Sequence, residues 1–156
     1  MRKTFDITLT QLAERDESIY LLVNDLGNFP TFEKKFSNRF INVGIAEPNM
    51  VSIASGLALD GCKVFVYSVA GFCIHRGFEQ LKFEVGNLSK NINIVNAGAN
   101  LCYNRVGSGH YLIDDFAIMR TLPNVNIYAP IDRREFKSTV EMSYRSGGFN
   151  YIRTGM

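Results

Sequence analysis

Arg39-Phe-Ile-Asn-Val43, Glu47-Pro-Asn-Met-Val-Ser-Ile-Ala-Ser-Gly-Leu-Ala-Leu59 and Val64-Phe-Val-Tyr67 read in that order as strand, helix and strand. Met50, Val51, Ala54, Leu57 and Ala58 recur at helical spacing. Pro48 suits the first turn, where an N–H is not needed, and Gly61 is a natural stop. Two strands joined through a helix make a βαβ unit, and such a unit sets its strands parallel.

The same alternation continues outward. Residues 3–16 place Phe5, Leu9 and Leu12 at helical spacing, and Ile19-Tyr-Leu-Leu-Val23 is an apolar run of the buried-strand kind. Residues 28–38 read as an irregular connection. Downstream, a long helix is expected over Gly71–Leu88, a strand over Ile92–Asn96, a long loop over 97–110 and a helix over Leu112–Thr121. Pro123-Asn124 ends that helix. Val125–Tyr128, Arg133–Tyr144 and Phe149–Arg153 then read as strand, helix and strand. The expected fold class is α/β: a single three-layer domain over residues 1–156, with a mostly parallel six-stranded sheet and helices on both faces.

Composition narrows the function classes. The chain has 17 basic and 15 acidic residues, so its net charge of +2 provides no broad footprint for nucleic acid. No apolar run reaches the roughly 20 residues of a membrane span. The start, Met1-Arg2-Lys3-Thr4-Phe5-Asp6, lacks the apolar stretch of a secretory signal. Cys62, Cys73 and Cys102 fit neither metal spacing nor a disulfide framework, so the expected location is a reducing cytoplasm.

Parallel sheets bind ligands outside the carboxyl ends of their strands. That rim would gather Asp25, Gly44–Glu47, Ser68–Phe72 and the 97–110 loop. Glu47 has two readings: an acid complementing a helix dipole, or a carboxylate offered to a ligand. His110, after Gly107-Ser108-Gly109, is either a cap or an acid–base group with a pKa near neutrality. His75 lies within a helix, where a packing role is expected. Arg76, Glu79 and Gln80 share a face that could be a solvated ladder, and Phe72 could be simple core. No GxGxxG, P-loop or nucleophile–histidine arrangement is present, so the residues alone stop at an α/β domain with a polar rim.

A wider set of motifs goes further. Arg39-Phe-Ile-Asn-Val-Gly-Ile-Ala-Glu47-Pro-Asn-Met50, Gly56-Leu-Ala-Leu-Asp-Gly61, Val66-Tyr-Ser68, Phe72, Arg76-Gly-Phe-Glu-Gln80, Gly107-Ser-Gly-His110, Asp114-Asp-Phe-Ala-Ile-Met-Arg120 and Leu122-Pro-Asn124 occur in one order. As a set they resemble the pyrimidine-binding domain of the transketolase family. The resemblance runs from Asp25 to Tyr151-Ile152-Arg153.

It implies thiamine diphosphate as cofactor, with Glu47 hydrogen-bonding ring nitrogen N1′ of the aminopyrimidine in a dry site where desolvation favours the protonated carboxyl. It further implies that Phe72 stacks on that ring, that Leu26 packs against it beside Asp25, and that His110 meets donor hydroxyls. Arg76 and Gln80 fall at pattern positions near the cofactor. The family's diphosphate- and Mg2+-holding stretch has no counterpart here. The implied partner is therefore a separate diphosphate-binding subunit in an α2β2 assembly, contacted through the apolar helices 47–60 and 71–88.

The family's sugar-phosphate grip falls at Phe29, Gly98, Arg2, Met156 and Val106, where only Arg2 fits, near a terminus that could fray. A sugar other than the ordinary pentose phosphates is expected. The implied activity is transfer of a two-carbon ketol unit between sugars. A deoxyxylulose-phosphate-synthase-like enzyme, a 2-oxoacid dehydrogenase E1 β-type subunit and a catalytically silent scaffold are the alternatives.

Overall fold

The computed structural model describes residues 1–26, 29–87 and 91–155. Six strands form one sheet in the order β2-β1-β3-β4-β6-β5, and every neighbouring pair is parallel. They are β1 (Ile19–Val23), β2 (Phe40–Asn42), β3 (Lys63–Val69), β4 (Ile92–Ala97), β5 (Val125–Tyr128) and β6 (Phe149–Thr154). The central strands are apolar on both faces because both are covered. In β1, Leu22 enters one core while Leu21 and Val23 enter the other.

One layer contains α3 (Glu47–Leu59), the segment 72–86 and α5 (Asp115–Met119). Met50, Val51, Ala54, Ile74, Leu81 and Met119 close on Val64, Val66, Ile92 and Ile94 there. The opposite layer contains α1 (Arg2–Ala13), α2 (Pro30–Lys35) and α6 (Arg133–Ser146). Phe5, Phe29, Phe32, Phe65 and Phe136 are fully buried in it. Asp132 accepts the Glu135 backbone N–H at 2.8 Å while Glu135 accepts that of Ile131 at 2.8 Å, a reciprocal cap that starts α6.

Four expectations are corrected. The connection at 28–38 contains α2, whose first turn is capped from a distance: Asp6 in α1 accepts the backbone N–H groups of Thr31 at 3.1 Å and Phe32 at 2.9 Å. The segment expected as one long helix is wound wide, in π-type turns, over Phe72–Arg76 and Leu81–Gly86, with α4 (Phe78–Gln80) between them. Gly77 lets it close on α3, since a Cβ there would lie 2.7 Å from the Cys73 carbonyl oxygen and 3.2 Å from Val51. The helix expected over Leu112–Thr121 is confined to α5, because Leu112 is held extended in a bridge with Asn100. His75 is exposed, and its Nε2 meets Asp114 Oδ1 at 3.0 Å. Leu88, Asn28 and Met156 lie outside the described residues.

Candidate active site

Sheet order reverses between β1, which leads outward to β2, and β3, which leads the other way. The loops leaving β1, β2 and β3 bound an open cleft of about 220 Å3 at that reversal, lined by Asn24, Asp25, Leu26, Ile45, Glu47, Phe72 and Arg76. Parallel sheets open a crevice at such a point because successive connections leave on opposite faces.

Glu47 is the first residue of α3 and only 3% exposed. Ala46 before it makes no side-chain cap. Asn24, immediately after β1, donates Nδ2–H to Glu47 Oε1 at 2.8 Å. The Arg76 guanidinium donates to Oε1 at 3.1 Å and to Oε2 at 3.2 Å. Burial pushes the carboxyl pKa up and is the largest single influence. Its own backbone N–H, Asn24 and Arg76 together outweigh it and hold the pKa below the ordinary 4.5. These donors offset the desolvation that by itself favours the protonated form, and at neutral pH the cleft as it stands holds a carboxylate.

Phe72 lies beside this carboxylate, with the Arg76 guanidinium 4.4 Å from its ring centroid. The His110 ring meets Phe72 at 4.9 Å and 76°, edge to face, and meets Tyr103 at 6.2 Å. His110 ends a short 3-10 turn, Ser108–His110, which carries it from the loop after β4 towards the cleft. Asp25 has a left-handed φ of 49°, and its N–H donates to Asn42 Oδ1 at 3.0 Å. Asn42 Oδ1 also accepts from the Gly44 N–H at 3.0 Å, tying together the loops after β1 and β2. Leu26 packs on the α1/α6 core. Ala70, at φ 50°, is held in its unusual conformation from both sides: its N–H reaches the Ala97 carbonyl at 2.8 Å and its carbonyl accepts from Asn96 at 2.5 Å.

Two expected residues stand apart. Gln80 ends α4, one turn beyond Arg76, and does not line the cleft. Arg2 is the first residue of α1 and lies 5.9 Å from the Tyr67 ring centroid, beside a second hollow of about 270 Å3 lined also by Ala97, Tyr103 and Gly155. Tyr103 separates this hollow from His110. Of the positions aligned with the phosphate grip, Phe29 is fully buried against Phe5 and Tyr67. Gly98, at φ +86°, is covered by the Tyr103 ring, and Val106 is exposed.

Sequence reasoning missed Asn24, Tyr103 and a buried group behind the rim. Asp115 is fully buried and accepts from the Tyr151 hydroxyl at 2.7 Å and from Arg153 Nε at 2.8 Å. Burial, with Asp115 beside it, pushes the Tyr151 hydroxyl pKa well up. Asn24 Oδ1, Ser68 Oγ, Asn96 Oδ1 and Asp115 Oδ1 are buried with no hydrogen-bond partner among the described residues. The first three stand at the carboxyl ends of β1, β3 and β4.

Fold and cleft together define a doubly wound α/β domain with a carboxylate-centred cleft at its switch point. Residues 1–154 match the family model described as "Transketolase, pyrimidine binding domain", and the chain belongs to that family. It is similar to an apulose-4-phosphate transketolase subunit of Phocaeicola vulgatus, 34% identical over 99% of this chain and 50% of the relative. A putative transketolase C-terminal section of Methanocaldococcus jannaschii is 35% identical over 98% of this chain and 49% of that protein. A solved structure described as a split-gene transketolase, inactive β4 tetramer, superimposes with a TM-score of 0.86 at 30% identity, covering 99% of this chain and 50% of that one. The chain spans about half the length of the curated relatives it matches.

Proposed function

We propose that this domain supplies the aminopyrimidine half of a thiamine-diphosphate site in a transketolase-type enzyme that transfers a two-carbon ketol unit between sugars. The observation that carries the reading is the pairing of a buried carboxylate, Glu47, with a half-buried aromatic, Phe72, across one cleft. The donor set fits the cofactor's ring. A buried carboxylate accepts a hydrogen bond from a protonated ring nitrogen, an aromatic face takes a flat heterocycle, and Leu26 and Ile45 add apolar walls.

When bound, thiamine diphosphate supplies the nucleophilic carbon and the electron sink for chemistry beside a carbonyl. Glu47 would hold the proton at ring nitrogen N1′, and Asn24 would keep the carboxylate aimed. Phe72 would stack on the ring beside Leu26 and Asp25. His110, edge to face with Phe72, would hydrogen-bond donor hydroxyls. Arg2, in the adjoining hollow, would meet the sugar's anionic end. In this reading a separate diphosphate-binding subunit holds the diphosphate and Mg2+, in an α2β2 assembly. Ile45, Leu59 and Phe83, at 75%, 54% and 58% exposure beside or along the two apolar helices, would contact it.

The sugar itself is proposed to lie outside the ordinary pentose phosphates. Phe29, Gly98 and Val106 replace polar contacts, and one relative's name specifies apulose 4-phosphate. Mixing the chain with a diphosphate-binding subunit, thiamine diphosphate and Mg2+ tests the reading. Ketol transfer should appear only on mixing, and Glu47→Ala should lower it at least about 100-fold. Undiminished transfer by the Glu47→Ala assembly would refute the role of Glu47 and favour a silent scaffold.

A further inference from the structure

We propose that Arg76 is a built-in stand-in for the cofactor's ring, whose guanidinium fills both ring contacts of the empty cleft and has to leave them before a ring can seat. The inference rests on the aminopyrimidine reading above and gives Arg76 a specific part in it.

A ring bound between Glu47 and Phe72 needs one N–H directed at the carboxylate and one flat face laid on the aromatic. Arg76 occupies both positions at once. Its Nη1 reaches the two carboxylate oxygens at 3.1 and 3.2 Å, and its guanidinium carbon stands 4.4 Å from the Phe72 centroid. A guanidinium is planar, delocalised and cationic, as a ring-protonated aminopyrimidine is, so each can satisfy the same pair of groups. The face of Phe72 that looks into the cleft takes one flat cation at a time.

The two partners differ in freedom. The Glu47 side chain is 3% exposed and is held from behind by Asn24. The Arg76 side chain is 49% exposed and hangs from a wide-wound turn that ends at Gly77. Its head can be exchanged for water and its long stem can swing, whereas the carboxylate stays in place. Arg76 thus spares the empty site an unpaired buried carboxylate, and for the same reason it reduces the fraction of chains ready to accept a ring. A site closed nine times in ten binds about tenfold more weakly than its open form.

The probe is the aminopyrimidine half alone, 4-amino-5-hydroxymethyl-2-methylpyrimidine, titrated into the full chain and followed by NMR shifts of the Phe72 and Glu47 signals. Arg76→Met keeps the apolar stem and removes the guanidinium, and it should bind the probe about tenfold more tightly than the wild type. Arg76→Lys should fall between them, and it also carries the comparison should Arg76→Met fold poorly. Glu47→Ala and Phe72→Ala should both abolish binding. If those two abolish binding while the Arg76 variants bind equally or more weakly, Arg76 is no stand-in and the aminopyrimidine reading survives. Binding indifferent to Glu47 and Phe72, or no binding to any form, overturns that reading and the inference with it.

Discussion

Asn24 and Glu47 are 23 positions apart in the chain, and the Asn24 amide donates to the Glu47 carboxylate at 2.8 Å across the end of β1. Glu47 is held below its ordinary 4.5, so its contribution to stability is complete above that value and is lost as the pH falls through its folded-state titration. Asn24→Ala removes one of the groups that hold it down. The Glu47 midpoint, read by carboxyl 13C NMR, should rise. At neutral pH the variant should lose about 1–2 kcal/mol, and this loss should shrink as Glu47 protonates. An unmoved midpoint would mean that Asn24 does not tune the carboxylate.

A second depressed carboxylate lies far from the cleft. Asp16 accepts from Lys63 at 2.6 Å, from the Ser18 hydroxyl at 2.5 Å and from the Tyr144 hydroxyl at 3.0 Å. Burial raises its pKa, but these donors outweigh burial and hold it well below the carboxylate range. Its stabilisation is therefore present above the ordinary 3.8 and fades only in strong acid. Asp16→Asn should cost about 1–3 kcal/mol in urea unfolding at neutral pH, and much less below pH about 2. A cost independent of pH would assign the effect to shape rather than charge.

Asp115 carries a buried ion pair with Arg153 and a hydrogen bond from Tyr151. Asp115→Ala leaves Arg153 with Asn100 and the Leu112 carbonyl, and leaves the Tyr151 hydroxyl without its acceptor. The loss should be about 3–5 kcal/mol, seen as a lower urea midpoint with an unchanged slope. A loss under about 1 kcal/mol would show that the pair contributes no more than a surface one.

At Gly98 a Cβ would meet the Tyr103 ring at 2.1 Å, and φ is +86°. Gly98→Ala should displace Tyr103 and destabilise the fold by about 1–3 kcal/mol. Because Tyr103 flanks His110, the His110 ring-proton shifts should move as well. Unperturbed His110 signals would separate this loop glycine from the site.

The elements legible in the sequence are those that carry their own signals. Ile19–Val23, Glu47–Leu59 and Val125–Tyr128 fold over the spans that apolar periodicity marks, with Pro48 and Gly61 marking one start and one stop. What is not legible depends on distant partners. The start of α2 is capped by Asp6, 25 and 26 positions upstream. The close approach of α3 at Gly77, within the wide-wound stretch 72–86, is a contact that no local pattern encodes. Within the cleft, Glu47 and Phe72 are legible as rim residues, but Asn24 reads only as the end of a strand. A polar residue closing an apolar run is the available signal. Its meaning depends on where Glu47 falls. The packing role expected of His75 fails because helical position alone does not say which face is covered.

The sheet is secured unequally along its length. At its amino-terminal end Asn150 donates to Asn93 at 2.9 Å and Asn126 donates to Asn150 at 3.1 Å, lacing β4, β6 and β5 side by side. At the other end Asn24, Ser68 and Asn96 each bury an atom with no partner among the described residues. Local opening starts where fewest bonds must break. Amide protons at the cleft end of β1, β3 and β4 should therefore exchange with solvent ahead of those beside the asparagine lacing, an order that hydrogen exchange reads residue by residue. The domain should then open first from its cleft edge, with its laced base opening last.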